Sequence, residues 1–395
     1  MLNNRCLRFY GVCGLMILNL LTAGCWDRKE IENRGFVLGI GIDYATPVPK
    51  GQYDLPHVTQ EAGERKYRVT FELPKFEKKS EGKSGTEHHL LYAGEGESML
   101  AITRAIDAKV YFSLFFEDTQ AIIFSEAVAR DGIGDLLDFF ARDPGMRRTV
   151  KMFVTPGRAE NILKGKLQVD EVNSIYIAKT VQNVHMTPRF AGIINLGDVL
   201  EAIREKHSFA LAEIVMENGD VKLTKGAIFN RDKKMVGELD EWETVGAKIL
   251  KEFLKQGVFS IPNPVNPEKL TVFELVESHI KVDSHVQDGR LWFSVTANFI
   301  GDLDENTELG QKVLKPQFLA AVEQGLDEQF TGQVRAAYSR LQGMKADAVS
   351  LGDLVHRQHP KYWKTVKDRW DEEVFPTVPL DVKIKVTIRR PGLVR

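Results

Sequence analysis

The sequence contains little cysteine, and the positions of the few cysteines limit the available chemistry. Three cysteines occur among 395 residues. Cys6 and Cys13 lie in an N-terminal stretch that is typical of a removable leader, and Cys25 follows it directly. Cleavage before Cys25 would leave one thiol, which excludes disulfides, thiol catalysis and cysteine-ligated zinc. We therefore expect stability to come from the hydrophobic core of two or more domains.

The chain also lacks an excess of either charge. It has 53 Lys and Arg residues against 55 Asp and Glu residues, and its formal net charge is −2. There is no long run of one sign, no internal repeat and no low-complexity segment. The charge pattern therefore gives no indication of nucleic-acid binding.

Nucleotide-binding motifs are incomplete. Gly82-Lys83-Ser84 resembles the end of a phosphate-binding loop, but the glycine required five positions earlier is Glu77. Gly39-Ile40-Gly41 could begin a dinucleotide fingerprint, but its third glycine position is Tyr44. We expect the first motif to be a solvated loop, and the strand glycines to mark a bulge or the close approach of another backbone.

The histidines give a weak metal signal. His356 and His359 could share a helical face with Asp353, but no second ligand cluster accompanies them and Pro360 interrupts the geometry. His88 and His89 are adjacent in a polar loop and are expected to be solvated. We predict neither a metal nor a cofactor.

Aromatic residues near the C-terminus have two interpretations. Trp363 and Trp370 are seven positions apart, and with Tyr362 and Phe375 they could form a binding platform or pack in the core. Core packing is the favoured prediction, because this spacing places both indoles on one helical face.

Catalytic groups are not apparent either. There is no Gly-x-Ser-x-Gly elbow, and the acidic pairs Glu117-Asp118 and Glu241/Glu243 resemble ordinary surface acids. The sequence therefore indicates a binding or assembly role and no enzyme activity.

The clearest positive signal is a leader of the bacterial lipoprotein type. Arg5 and Arg8 precede an apolar stretch over residues 9–21, and Thr22-Ala23-Gly24 precedes Cys25. The apolar stretch is shorter than the roughly 20 residues that a bilayer crossing needs. We predict a signal peptide over residues 1–24 and a diacylglyceryl thioether on Cys25.

Two acyl chains, such as palmitate, would hold the protein stably at the membrane surface. Trp26 is a plausible interfacial side chain beside this anchor. The alternative is an uncleaved membrane anchor in which Cys25 is merely a small apolar residue.

The first half predicts mixed α and β structure with some parallel pairing, because strands alternate with helices. Predicted strands cover residues 36–43, 66–73, 119–125 and 149–154, and predicted helices cover 97–110, 126–143 and 157–164.

The second half predicts an antiparallel sheet with long helices. Asp288-Gly289 predicts a tight hairpin between two alternating strands. A helix after Asp240, ending near Gly257, is predicted to carry one apolar stripe of Trp242, Val245, Ile249 and Phe253, with Leu250 and Leu254 beside it. A long helix is expected over residues 316–341. The predicted fold class is α+β, with domains at 25–200 and 201–395 and a subdivision near 258–268.

Several segments together resemble the Ger(x)C family of spore germination lipoproteins. Gly24-Cys25-Trp26-Asp27-Arg28-Lys29-Glu30-Ile31 and the following Gly39-Ile40-Gly41-Ile42-Asp43 are similar to the start of that family. Later segments resemble it in the same order: IIFSEAVARDGIGDLLDFFARDP, KGAIFNRDKKMVGEL and DLVHRQHPKYWKTVKDRW.

The resemblance implies the C subunit of a nutrient germinant receptor, without enzymatic activity. Lipid on Cys25 would hold it on the outer face of the inner spore membrane, and its partners would be the integral-membrane A and B subunits. Two other hypotheses remain open: a solute-binding lipoprotein that grips a small nutrient between two lobes, and an extracytoplasmic hydrolase.

Overall fold

The computed structural model describes residues 33–45, 66–75, 89–169, 171–181, 195–306 and 315–390. Cys25, Trp26, His88 and the Gly82-Lys83-Ser84 motif lie outside the described residues. The described chain forms three sheets of two, eight and four strands.

The largest sheet is mixed and has the strand order β10-β9-β8-β7-β6-β2-β3-β4. Its central pairs β2–β6, β6–β7 and β7–β8 are parallel, which confirms the predicted parallel pairing, and the outer pairs are antiparallel. The strands are β2 (Gly39–Tyr44), β3 (Tyr67–Pro74), β4 (His89–Gly96), β6 (Ala121–Ser125), β7 (Lys151–Thr155), β8 (Phe209–Glu217), β9 (Asp220–Phe229) and β10 (Met235–Leu239). A two-stranded parallel sheet of β1 (Arg34–Phe36) and β5 (Ser113–Phe115) accompanies it.

Helices cover both faces of the large sheet, because its parallel strands need crossover connections. Ile122 and Phe124 of β6 contribute to one apolar core, and Ala121 and Ile123 contribute to the core on the opposite face. The helices in this half are α1 (Met99–Asp107), α2 (Glu126–Asp131), α3 (Gly134–Arg142), α4 (Ala159–Lys164), α5 (Asn173–Thr180) and α6 (Leu196–Glu205).

The single helix predicted over residues 126–143 is two helices in the structure. Gly132 separates α2 from α3 with φ 126° and ψ 137°, a conformation outside the helical region. Glycine adopts this backbone geometry at little steric cost, so the chain turns there while the apolar pattern continues into α3.

The four-stranded sheet has the order β11-β12-β13-β14. Positive φ at Asp288 (49°) and Gly289 (75°) confirms the predicted tight turn between β12 and β13. The first two pairings are antiparallel, but β14 runs parallel to β13, which the sequence did not predict. The strands are β11 (Gly257–Pro262), β12 (Leu270–Gln287), β13 (Arg290–Asn306) and β14 (Leu380–Arg390).

The parallel pairing follows from the long helical crossover between β13 and β14, which returns the chain to the same end of the sheet. This crossover, the helix over residues 241–250 and the inner face of the four-stranded sheet together form a third apolar core. The helices are α7 (Glu241–Leu250), α8 (Pro316–Gly343), α9 (Leu351–Gln358) and α10 (Pro360–Val366), followed by short 3₁₀ and π turns over residues 367–377.

Helix α7 begins as predicted but ends early. Asp240 accepts a hydrogen bond from the backbone N–H of Glu243, and the Glu243 side chain accepts one from the Asp240 N–H, forming a capping box. The helix ends at Leu250, so Phe253 lies beyond it, and both Trp242 and Phe253 are exposed. The predicted apolar stripe is therefore buried at Val245 and Ile249 but not at its two ends.

The predicted domain boundary near residue 200 stays a prediction. The large sheet continues beyond this boundary. β8 is hydrogen-bonded to β7, β9 to β8, and β10 to β9. Ile228 and Leu239 at the end of that sheet pack in the same apolar core as α7 and α8. The two halves therefore share side chains where they meet.

Candidate functional site

The candidate site is a buried polar joint where the first turn after α6, the β9–β10 hairpin and the C-terminal helices meet. Asp371 is 4% exposed and lies in the π turn after α10. Its Oδ2 accepts a hydrogen bond from Ser208 Oγ at 3.2 Å and lies 3.4 Å from Arg231 Nε. A π turn interrupts regular helix geometry, and such turns are frequent at functional positions.

Arg231 ties both halves together through main-chain carbonyls. Its Nε donates to the carbonyl oxygen of Lys206 at 2.6 Å, and its Nη2 donates to that of Lys367 at 3.2 Å. A planar guanidinium with several fixed donors suits this bridging role better than a flexible ammonium. The hairpin turn of residues 231–234 thus also connects the segment after α6 to the C-terminal helices.

A second buried acid, Asp347, organises the start of α9. Its carboxylate accepts hydrogen bonds from the N–H groups of Leu351 and Gly352 and from Nε1 of Trp370, at 3.0, 2.6 and 2.9 Å. Its own N–H donates to Asp371 Oδ1 at 3.4 Å. The two acids therefore belong to one network.

Burial dominates the acidity of this pair. It raises the pKa of Asp347, and the hydrogen bonds to its carboxylate oppose the shift. Burial also raises the pKa of Asp371 to about 6, with a further contribution from Asp347, while Arg231 opposes it. The joint therefore contains an acid that changes charge close to neutral pH.

The predicted aromatic core is confirmed. Trp363 and Trp370 are 9% and 3% exposed, their rings meet at 5.3 Å between centroids, and Phe375 is fully buried. The indole of Trp370 additionally positions Asp347, a role that the spacing alone did not indicate.

The histidine group considered as a metal site is dispersed. Asp353 Oδ1 lies 3.1 Å from Nε2 of His207, His356 stacks on Trp363, and His359 Nε2 lies 2.8 Å from the Ser284 carbonyl oxygen. Within the described ranges, no group of three or more His, Cys, Asp or Glu side chains could hold a metal ion. Asp353 and His207 instead add a second polar contact beside the joint.

The strand glycines allow close approach, as predicted. A Cβ on Gly41 would lie 3.2 Å from the main-chain carbon of Ala159, and a Cβ on Gly39 would lie 2.8 Å from Glu72 Oε2. Because these positions have no side chain, α4 and α5 can pack closely against β2.

Two adjacent strands direct buried carboxylates at the N-termini of these helices. Asp43 on β2 accepts from the N–H groups of Ala159 and Glu160 at 2.7 and 3.0 Å. Glu72 on β3 accepts from those of Asn173 and Ser174 at 3.0 and 2.9 Å. These bonds satisfy N–H groups that lack intrahelical partners.

Burial raises the pKa of Glu72 to about 7, although the helix N–H groups favour its carboxylate. Nδ1 of His89 lies 3.6 Å from Glu72 Oε1. His89 is the first residue of β4 and its side chain is 18% exposed, so the expectation that it is solvated in a loop is wrong. Glu160 differs: burial raises its pKa, but Arg68 and Lys164 outweigh burial and hold it at about 2.

No sequence motif indicated the joint. Ser208, Arg231, Asp347 and Asp371 are separated along the chain and fit no motif. What the arrangement provides is a polar connection between two sheets, with no activated nucleophile among its members. None of the described helices combines the length and apolarity that crossing a membrane requires.

The fold and the joint thus define an α+β protein in which a buried, titratable polar cluster connects the eight-stranded and four-stranded sheets. A family model described as "Spore germination protein N-terminal domain" matches residues 27–216, and one described as "Spore germination B3/ GerAC like, C-terminal" matches residues 224–392. The chain belongs to the Ger(x)C family of spore germination proteins.

Individual relatives agree with this assignment over nearly the whole chain. Spore germination protein KC of Bacillus subtilis (strain 168) is 25% identical, and spore germination protein A3 of the same strain is 26% identical. Each alignment covers 96% of this chain and 96% of the relative. The crystal structure of the GerBC protein is similar in fold, with a TM-score of 0.56 and 21% identity over 82% of this chain and 93% of that chain.

Proposed function

We propose that this protein is the lipid-anchored C subunit of a nutrient germinant receptor and that it acts in spore germination by protein–protein assembly. Membership of the Ger(x)C family over both halves of the chain carries this proposal. Its partners would be the two integral-membrane subunits, A and B. The lipid on Cys25 would hold it on the extracytoplasmic face of the inner spore membrane.

The anchor proposal is supported by the arrangement of residues at the N-terminus. A basic start, a short apolar stretch, the small residues 22–24 and Cys25 follow in the order that lipoprotein processing requires. Diacylglyceryl attachment supplies two chains, and at about 0.8 kcal/mol per buried methylene this gives stable attachment without a membrane-spanning helix.

A role in assembly is supported by the chemistry of the described residues. Four buried acids, Asp347, Asp371, Asp43 and Glu72, accept hydrogen bonds from main-chain N–H groups, and Asp371 also contacts Ser208 and Arg231. Such groups fix the positions of helices, and each is occupied by the fold itself. We therefore propose that the protein is not an enzyme.

The first experiment measures the intact mass and membrane partitioning of the protein expressed in a spore-forming host. Wild type is compared with Cys25→Ala, and Trp26→Phe is the matched control that keeps the thiol. We expect wild type and Trp26→Phe to gain a diacylglyceryl mass and remain with the membrane. Cys25→Ala should remain an uncleaved precursor or be shed.

Assembly is tested separately by recovering tagged protein from detergent-solubilised spore membranes. We expect the A and B subunits to be recovered with wild type and in lower yield with Cys25→Ala. If wild type and Cys25→Ala behave identically as soluble protein and recover neither subunit, the proposal is wrong. The solute-binding and hydrolase hypotheses would then be reopened.

A further inference from the structure

Strand β12 extends well beyond the strand that pairs with its outer side. β11 pairs with residues 270–275 of β12, whereas β12 continues to Gln287. On its other side β12 pairs with β13 throughout residues 277–287. The part of β12 beyond the end of β11 therefore has one edge without a partner strand. Main-chain groups on such an edge are ready to pair with another extended chain.

Side chains cover the far end of this edge. Glu252 Oε1 accepts a hydrogen bond from the Val282 N–H at 2.7 Å, and Gln358 Oε1 accepts one from the Ser284 N–H at 2.7 Å. His359 Nε2 contacts the carbonyl oxygen of Ser284. The edge is thus already occupied at Val282 and Ser284.

The main-chain N–H groups along the nearer part of the edge have no such cover, although Ser278 Oγ donates a hydrogen bond to the Leu254 carbonyl oxygen at 2.5 Å. Along an antiparallel strand, alternate residues direct their N–H and C=O groups to the same side, so Ser278 and Ile280 face the same way as Val282. In the part of the chain that the structure describes, no hydrogen bond reaches the N–H of Ser278 or of Ile280. These two residues form an open window between β11 and the Glu252 contact.

An open groove of about 620 Å³ lies against this window. One wall comes from Glu252, Lys255 and Gln256, in the segment between α7 and β11. The other wall comes from residues 276–281 of β12, which include Glu277 and Lys281, and from Thr296 and Asn298 of β13. The volume lies within the range of about 300–1,000 Å³ that ligand sites occupy. Walls with charges of both signs suit a polar, hydrated peptide and disfavour an acyl chain.

The backbone at Glu252 points to a dedicated role for this residue. Its φ is 55°, in the left-handed region where glycine is preferred after a helix. A glutamate bears a steric cost there, and its carboxylate reaches the β12 edge. Glu252 thus closes the edge at the point where a short added strand would end.

We propose that this groove binds an extended, polar peptide segment of a partner protein as an added strand, end to end with β11. The segment would exchange main-chain hydrogen bonds with Ser278 and Ile280, while its side chains lie between Lys255 and the β12 wall. This mode takes most of its affinity from the backbone and needs few specific side chains. The proposal rests on the proposed function, since the segment would belong to a membrane subunit of the receptor.

The test uses the full-length protein in detergent and overlapping synthetic 15-residue peptides that cover the extracytoplasmic segments of the A and B subunits. Binding is measured to wild type, Ile280→Pro and Ile280→Val. Proline removes the outward N–H, and an edge position tolerates this substitution because the N–H does not pair with β13. Valine keeps the N–H while shortening the side chain, so it is the matched control.

We expect one peptide to bind wild type and Ile280→Val alike, and to bind Ile280→Pro about fivefold to tenfold more weakly, as for the loss of a main-chain hydrogen bond. Amide hydrogen exchange of wild type provides a measurement that does not depend on folding of the variants. The peptide should slow exchange in residues 276–282 and leave the β14 edge unchanged. Equal binding to all three proteins, or no protection in this segment, would overturn the proposal.

Recovery of the A and B subunits separates the two proposals. If no peptide binds but tagged protein still recovers the subunits from spore membranes, the groove proposal is wrong and the receptor role stands. If neither the peptides nor the subunits bind, both proposals are wrong.

Discussion

Ser208 donates a hydrogen bond to Asp371 across 163 positions of the sequence, and both residues are buried. Arg231 lies 3.4 Å from the same carboxylate oxygen. The bond joins the large sheet to the C-terminal helices. Removing one partner of such a buried contact lowers the free energy of unfolding, because the other partner stays buried without its hydrogen bond. Movement between the halves would have to open this joint.

Replacing Arg231 tests the joint directly. Arg231→Ala would leave Asp371 without its cation and two carbonyl oxygens without their donor, so we expect the free energy of unfolding to fall by about 2–3 kcal/mol. Urea denaturation followed by circular dichroism measures this. Arg204→Ala, whose side chain is 71% exposed, is the control and should leave the midpoint almost unchanged. Equal effects of the two variants would show that Arg231 does not bridge the halves in solution.

Stability should increase on mild acidification. The pKa values of Glu72 and Asp371 are raised to about 7 and about 6, so the folded protein holds these protons more tightly than the unfolded chain. The free energy of unfolding therefore rises as pH falls from 8 towards 4. Urea denaturation at intervals across this range measures the slope.

Two amide variants test which carboxyl groups cause this pH dependence of the free energy of unfolding. Glu72→Gln should flatten its upper part and Asp371→Asn its lower part, because each removes one titrating group. Glu160 has a folded pKa of about 2, so its contribution is lost only as pH falls below its unfolded value of about 4.5 and through 2. A wild-type slope that persists in both variants would contradict the assignment.

Helices α7 and α8 cross where Gly246 meets the main chain of Gln333. A Cβ on Gly246 would fall well inside van der Waals contact with that carbonyl group. We expect Gly246→Ala to lower the free energy of unfolding by about 1–3 kcal/mol, despite alanine's better helix propensity, because overpacking forces the helices apart. Thermal unfolding measures the effect.

Gly343 at the end of α8 is the matched control for this substitution. A Cβ there meets nothing within 4 Å, so Gly343→Ala should be neutral or slightly stabilising. A Gly246→Ala protein as stable as wild type would mean that the helices do not cross this closely.

The Trp370 indole contributes a hydrogen bond as well as packing. Trp370→Phe removes the donor to Asp347 Oδ2, and we expect a loss of about 2–4 kcal/mol from the bond and the cavity together. Trp242→Phe, at a side chain that is 45% exposed, should change stability by less than about 0.5 kcal/mol. Guanidinium denaturation compares the two, and similar losses would refute the structural role of the indole.

Local patterns predicted much of the secondary structure. The Asp288-Gly289 turn, the Asp240 cap and helix α8 follow from signals a few residues long, and all three are present. The early end of α7 was not predicted, because the apolar stripe continues past Leu250 while the chain adopts a left-handed conformation at Glu252. Periodicity indicates which residues could line a face but not where the partner surface ends.

Most strand and helix types, the tryptophan core and the resemblance to the Ger(x)C family follow from local sequence patterns. These depend on side-chain periodicity and on motifs in which neighbours act on one another directly. Tertiary packing alone sets the parallel pairing of β14, the uncovered edge at Ser278 and Ile280, and the joint of Ser208, Arg231, Asp347 and Asp371. Each depends on the packing of segments that are distant in the sequence. The pKa of a buried carboxylate and the pairing of a strand edge are set by the groups that pack beside them.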